Sequence, residues 1–366
     1  MKKKLLALVC ALVMIFSLAS CGLSTPDTVG KVGDFEVSSG LYLLAQFSAY
    51  QQAAQLAGKD QDATDVKAFL KATITTDADS GETAVVQDYV ADKTLETLRT
   101  FAAIDARFAE LGGELTAEQT QVADNYAQQL MDQYGSTYTA NGIGLETLKA
   151  FERIQLKHTL LLTLVYGPDG ESPVDDSDLT EHLDSQMYEL AYVNIPLYNT
   201  STFVSASDDQ KAQMLQLAQA AAASCSETQD GSVSEQVSAL HSAASAALPD
   251  IYAVLGSTPS DTNVQTELLG SSTLDSTFTQ SGSADTIRNL AYGQAAAVQY
   301  SSYAMMLALR VDPLSVASLD DLRDQVITDM KTSELKTALS DSGASLENHL
   351  DTSAMNKLPM TKIVNK

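Results

Sequence analysis

Tryptophan is absent from this 366-residue chain, and aromatic residues make up only 6% of it. A carbohydrate cleft built on stacked indoles is therefore excluded. Basic residues are scarce as well: 22 Lys and Arg stand against 47 Asp and Glu, for a formal net charge of -25. So acidic a surface repels phosphate backbones and anionic headgroups, which excludes nucleic-acid binding and polybasic adhesion to membranes. The four histidines, His158, His182, His241 and His349, have no partner at metal-ligand spacing, and no metal or cofactor is expected. The glycines of GKVGDFEVSSG are wrongly spaced for a dinucleotide or phosphate loop. Cysteine occurs three times, as Cys10, Cys21 and Cys225.

The first of these cysteines lies in an export signal. Lys2, Lys3 and Lys4 precede an apolar run from Leu5 to Leu18, too short for a membrane span but ordered like a signal peptide. It ends in Leu18-Ala19-Ser20-Cys21, which resembles the bacterial lipobox: small residues fit the signal peptidase, and the thiol after the cut carries a diacylglycerol. The expectation is a signal peptide over 1–20, lipidation of Cys21 and a tether over 21–27. The rest then faces the extracytoplasmic side of the cell membrane, held there by lipid. Cys10 leaves with the signal and Cys21 is acylated, so the exported part has no cysteine pair for an internal disulfide.

At this length, with 45% apolar residues, two domains are expected. Val29, Val32, Phe35 and Val37 around Gly33-Asp34 predict a hairpin, followed by a helix to about Ala57 with Leu41, Leu44, Ala45 and Ser48 along one side. A polar loop to about Ser80, with a short helix near 66–71, leads to a long helix predicted over 83–111, into which Asp105 intrudes. Gly112-Gly113 ends it, and Thr116 to Gln119 forms a capping-box pattern opening a helix with Val122, Tyr126 and Leu130 every fourth residue. Further helices are predicted over 145–164 and 176–186, the latter favoured by Asp175, Asp176 and Asp178 at its start.

From Tyr188 the pattern changes. Leu190, Tyr192, Asn194 and Pro196 alternate as on one strand face. Residues 208–248 read as two helices broken near Asp230-Gly231, 284–290 as a helix and 297–311 as strand-rich; 319–339 is helical again. GSTPSD at 256–261 has no suitable histidine nearby and reads as a loop, and Cys225 as a small buried helix residue.

In this order the parts resemble the SurA/PrsA-type extracytoplasmic foldases, chaperones with parvulin-type peptidyl-prolyl isomerase modules. VGKVGDFEVSSGLY is similar to that family's hairpin-then-helix entry, and AELGGELTAEQTQVADNY to its helix, glycine break and capped helix. NGIGLETLKAFERIQLKHTLL is similar to the next turn and helix. VDDSDLTEHLDSQ resembles the lead-in to an isomerase module, and YGQAAAVQYSSYAMMLALRVDP its last turn and strand. The resemblance implies an α+β protein: a mostly helical chaperone-like body over 28–187, an inserted parvulin-like mixed domain over 188–312, and a helix and tail over 313–366 that pack on the helical body.

The resemblance also implies a histidine on the module's first strand and another on its last, beside a cysteine or aspartate and an apolar proline pocket. Matched onto this chain the two positions fall at Asn194 and Ala304. Neither is histidine, so the module is expected to keep a scaffold without its catalytic centre. The expected function is a membrane-anchored chaperone for unfolded or partly folded exported proteins, without catalysis. The alternatives are an active prolyl isomerase, a solute-binding lipoprotein with two lobes, and a structural envelope lipoprotein. Tyr42, Phe47, Tyr50, Phe101 and Phe108 are candidates for a client groove, with core packing as the simpler role.

Overall fold

A computed structural model describes residues 26–59, 61–225, 229–259 and 263–365. Cys21 and the signal segment lie outside these residues. The chain divides into two compact units. The first comprises 26–164 and 333–365 of the described residues, and the second Val165–Thr332.

In the first unit, strands β1 (Thr28–Val32) and β2 (Phe35–Ser38) form the expected hairpin. The Ser38 hydroxyl accepts from Leu41 N at 3.2 Å and so starts helix α1 (Ser39–Ala57). Its buried surface covers more than one stripe, with Leu41, Leu44, Phe47 and Tyr50 all inside, and Ser48 faces solvent, contrary to the expected side. Helix α2 (Val66–Phe69) follows. The expected polar loop then proves to be a hairpin, β3 (Thr73–Asp77) and β4 (Glu82–Val85), whose turn ends at Gly81 with φ +72°. Residues 83–85 therefore belong to a strand, and helix α3 runs from Val86 to Glu110. The intruding Asp105 is met by Lys157 of helix α5 (Leu145–Tyr166), which explains a charge beside an apolar face.

Helix α4 (Ala117–Ala140) opens with the predicted capping box, Thr116 with Gln119. Its packing face differs from the expected one: Ala123 and Ala127 are buried, while Val122 and Tyr126 are exposed. Small side chains let the helix approach its neighbours closely, and that contact sets the rotation. Tyr42, Phe47, Tyr50, Phe101 and Phe108 are all buried, in keeping with core packing, and Tyr42 also borders a cleft between α1 and α3.

The second unit starts before the expected boundary at 188. Helix α6 (Asp176–Gln186) contacts strand β5 (Met187–Pro196), and its Leu179 and Leu183 are fully buried. Next come helices α7 (Asp208–Cys225) and α8 (Val233–Ala253), strand β6 (Gln265–Gly270) and helices α9 (Ser271–Thr277) and α10 (Ser283–Arg288). Strands β7 (Ala295–Gln299) and β8 (Ala304–Val311) complete an antiparallel sheet of order β6-β5-β8-β7. Such a sheet lacks the repeated strand-helix alternation that a two-lobed solute-binding protein would need.

Both sheet faces are covered, which is why β5 is apolar on both sides. Ala191, Val193 and Ile195 join Met214, Leu240 and Leu248 from α7 and α8. Tyr188 and Leu190, on the other side, join Leu274, Phe278 and Ile287. Cys225 is buried among the α7–α8 residues, and burial raises its thiol pKa. The unit extends past 312 because helix α11 (Leu319–Ser345) is fastened to it. Arg323 binds Asp176 at 2.7 Å, Gln325 donates to the Leu268 carbonyl at 2.9 Å, and His182 Nε2 meets Asp329 Oδ2 at 2.8 Å.

Within the first unit, strand β9 (Asn348–Leu350) adds to β1 antiparallel, followed by helix α12 (Thr352–Met355). Gly30, at φ +113°, admits the His349 carbonyl where a Cβ would clash. The observed architecture is α+β.

Candidate functional site

The candidate site lies at one end of the second unit's sheet and is built from β5, β8 and the loops beyond them. Asn194 pairs with Met306 and Pro196 with Ala304. Directly opposite residues point to one side of an antiparallel pair. Asn194 and Ala304 therefore share a face on adjacent strands: the two positions that the family resemblance matches to histidine come together. Asn194 is exposed, and its Oδ1 accepts from the Tyr300 hydroxyl at 3.1 Å. Tyr300 in turn packs against Phe278, ring centroids 5.6 Å apart, and its hydroxyl pKa is raised by burial. Tyr192, on the same face, donates to Glu267 Oε2 at 3.2 Å. Amide, phenol and thioether groups of this kind offer apolar contacts and hydrogen bonds to a bound chain. The unit's cysteine, Cys225, lies under the opposite face.

Beyond Pro196 the strand pair continues into an exposed tip. Leu197 N donates to the Tyr303 carbonyl at 2.8 Å, joining the β5–α7 loop to the β7–β8 turn. Asn199 then organises the loop. Its side-chain oxygen accepts from Ser201 N at 2.9 Å and Thr202 N at 3.0 Å, its carbonyl accepts from Phe203 N at 2.8 Å, and its side-chain amide donates to the Leu255 carbonyl at 2.8 Å. So tight a turn forces Phe203 to φ +58°, the one positive φ outside glycine among the described residues. For a bulky aromatic this is a strained conformation.

The strained residue faces water. Phe203 is 76% exposed, Val204 65% and Tyr303 64%, and Phe203 stacks on Tyr198 with centroids 6.2 Å apart. No charged residue occurs in 190–207 or 295–309, although the chain carries 69 charges among its acids and bases. The tip thus exposes three large apolar side chains from two uncharged segments that also carry serine, threonine and asparagine. Sequence reasoning missed Phe203, Val204 and Tyr303. The available signal was an apolar pair inside the polar run NTSTFVSAS, in a segment already read as leaving a strand.

Among the described residues no group of His, Cys, Asp and Glu could hold a metal ion. His182 and His349 pair with Asp329 and Glu347, and His158 is half-buried with its imidazole pKa lowered by burial and then by Lys336.

No family model and no curated protein sequence matches this chain. Among solved structures it is similar to foldase protein PrsA from Streptococcus pneumoniae strain Canada MDR_19A. The two are 14% identical, over 77% of this chain and 97% of that chain, with a TM-score of 0.37. So distant a likeness carries nothing about activity.

Proposed function

We propose that this chain is a lipid-anchored extracytoplasmic protein that holds unfolded or partly folded exported polypeptides without covalent chemistry. The observation that carries the reading is the uncharged tip of Phe203, Val204 and Tyr303, held open by the Asn199 turn. Burial of these side chains against an apolar segment of a client removes exposed apolar surface from water at about 25 cal/mol per Å². The hydroxyl and amide groups of these segments offer hydrogen bonds to a client's backbone, in the manner of adaptable binding loops rich in Tyr, Ser and Asn. The acidic remainder keeps copies apart and leaves this tip as the favourable contact. Anchoring rests on the lipobox resemblance at Cys21, and the absence of catalysis on Asn194 and Ala304 standing where the family resemblance calls for histidines.

Aggregation of a chemically unfolded model protein, followed by light scattering with residues 22–366 added, tests this. Apolar contact predicts suppression that persists from low to high salt, because burial scarcely depends on ionic strength whereas charge contacts are screened. Suppression that vanishes in high salt would assign the effect to the acidic surface instead.

A further inference from the structure

We propose that the first unit carries a binding cleft for a neutral, aliphatic amide, with Gln46 Oε1 as the acceptor for the ligand's N–H. The cleft lies between α1, α3 and the C-terminal segment after β9 and has a volume of about 460 Å³. That is within the range of roughly 300–1,000 Å³ typical of small-ligand pockets. Leu95, Leu98, Leu350 and Met360 supply apolar wall, and Gln46 belongs to the lining although only 1% of it is exposed.

Two contacts fix the orientation of the Gln46 amide. Its Nε2 donates to the Leu358 carbonyl at 3.4 Å and to the Tyr42 hydroxyl at 3.3 Å. The carbonyl can only accept, so the nitrogen must face it, and Oε1 is the end left over. That oxygen is buried with no hydrogen-bond partner. A buried acceptor without a donor is unfavourable, and a ligand donor at this point relieves it.

Charge narrows the class. The cleft is lined by no Lys, Arg or His, and Asp92 sits in its exposed rim. A carboxylate or phosphate ligand would find no counter-charge and would meet that acid, so fatty acids and nucleotides are excluded. A neutral body with aliphatic groups and one amide donor matches walls and floor together. The inference stands apart from the chaperone reading, because its residues belong to the other unit and its readout does not involve aggregation.

The test uses the exported chain, residues 22–366, with 13C-methyl methionine and two probes: N-acetyl-leucyl-leucine amide and its analogue N-methylated at every amide. Methyl signals of Met355 and Met360, assigned by Met→Leu variants, report on the cleft. The expected result is saturable shifts at both, with the first probe binding about tenfold tighter, the factor equivalent to one added net hydrogen bond. Gln46→Leu, which removes the orphan oxygen, should abolish that preference. Should Gln46→Leu fail to fold, Leu95→Phe, which fills the cleft and keeps Gln46, should weaken both probes. Equal affinity for the two probes in the unaltered protein, or no shift at either methionine at millimolar probe, overturns the proposal.

Discussion

The Tyr300 hydroxyl donates to Asn194 Oδ1 at 3.1 Å, reaching from the end of β7 past β8 to β5. This bond occupies the amide at the position where the family resemblance expects a histidine. Rotation about an Xaa-Pro bond faces a barrier of about 18–20 kcal/mol, and a catalyst must favour the twisted amide over the planar one. The Ala304 side chain can offer no hydrogen bond to such a state, and its backbone N–H and C=O are already paired with Ser301 and Tyr300. Short Xaa-Pro peptides followed by NMR exchange should isomerise at the uncatalysed rate with or without the protein. Acceleration that disappears in Asn194→Ala would reveal a working isomerase of altered design. Tyr300→Phe should lower the unit's stability by about 1 kcal/mol or less in urea denaturation, because the bond is exposed to water.

A buried carboxyl and a half-buried imidazole make opposite contributions to stability as pH changes. Burial, and then Glu267, raise the Glu189 carboxyl above its ordinary 4.5. A carboxyl whose folded pKa is raised contributes its stability in full below 4.5 and loses it as pH rises through the folded value. Glu189→Gln, which mimics the protonated form, should therefore stabilise the second unit at pH 7 and lose its advantage below 4.5. His158 has its pKa lowered from 6.5 by burial and then by Lys336. Its contribution is present above 6.5 and falls away as pH drops through the folded value, so His158→Gln should flatten the acid loss of the first unit. Urea midpoints of the variants at pH 7, 5.5 and 4 check both signs.

The anchor makes a separate prediction. Cys21→Ala should abolish incorporation of an alkynyl fatty acid and block processing, because no other residue near the cut offers a thiol. Persistent label on the variant would refute lipidation at this position.

Much of the helical content was legible because helix starts are written in local chemistry. Ser38, Thr116 and Ser232 cap their helices with their own hydroxyls. Strands β3, β4, β6 and β9 were not, since runs such as TITTD, QTELLG and NHL carry little apolar alternation. Strand β9 exists only because the chain returns from 316 residues away to pair Asn348 with Val32. Helix α4 was read on its larger side chains, Val122 and Tyr126, whereas close packing selected Ala123 and Ala127. At the site, the first strand followed from its pattern, close to the observed Met187–Pro196. The exposure of Phe203 did not, because it depends on how Asn199 closes its turn, and the isolation of Gln46 Oε1 depends on a carbonyl 312 residues away.

The most direct test of the account compares the unaltered protein with Phe203→Asn/Tyr303→Ser in the light-scattering assay. Asparagine tolerates the left-handed backbone at 203, and both side chains are exposed, so folding should be unaffected, with melting curves that overlay within about 1 kcal/mol. The account predicts that the unaltered protein suppresses aggregation of several unrelated clients and that the double variant loses most of that effect. Equal suppression by both proteins, or none by either at several-fold molar excess, would contradict it.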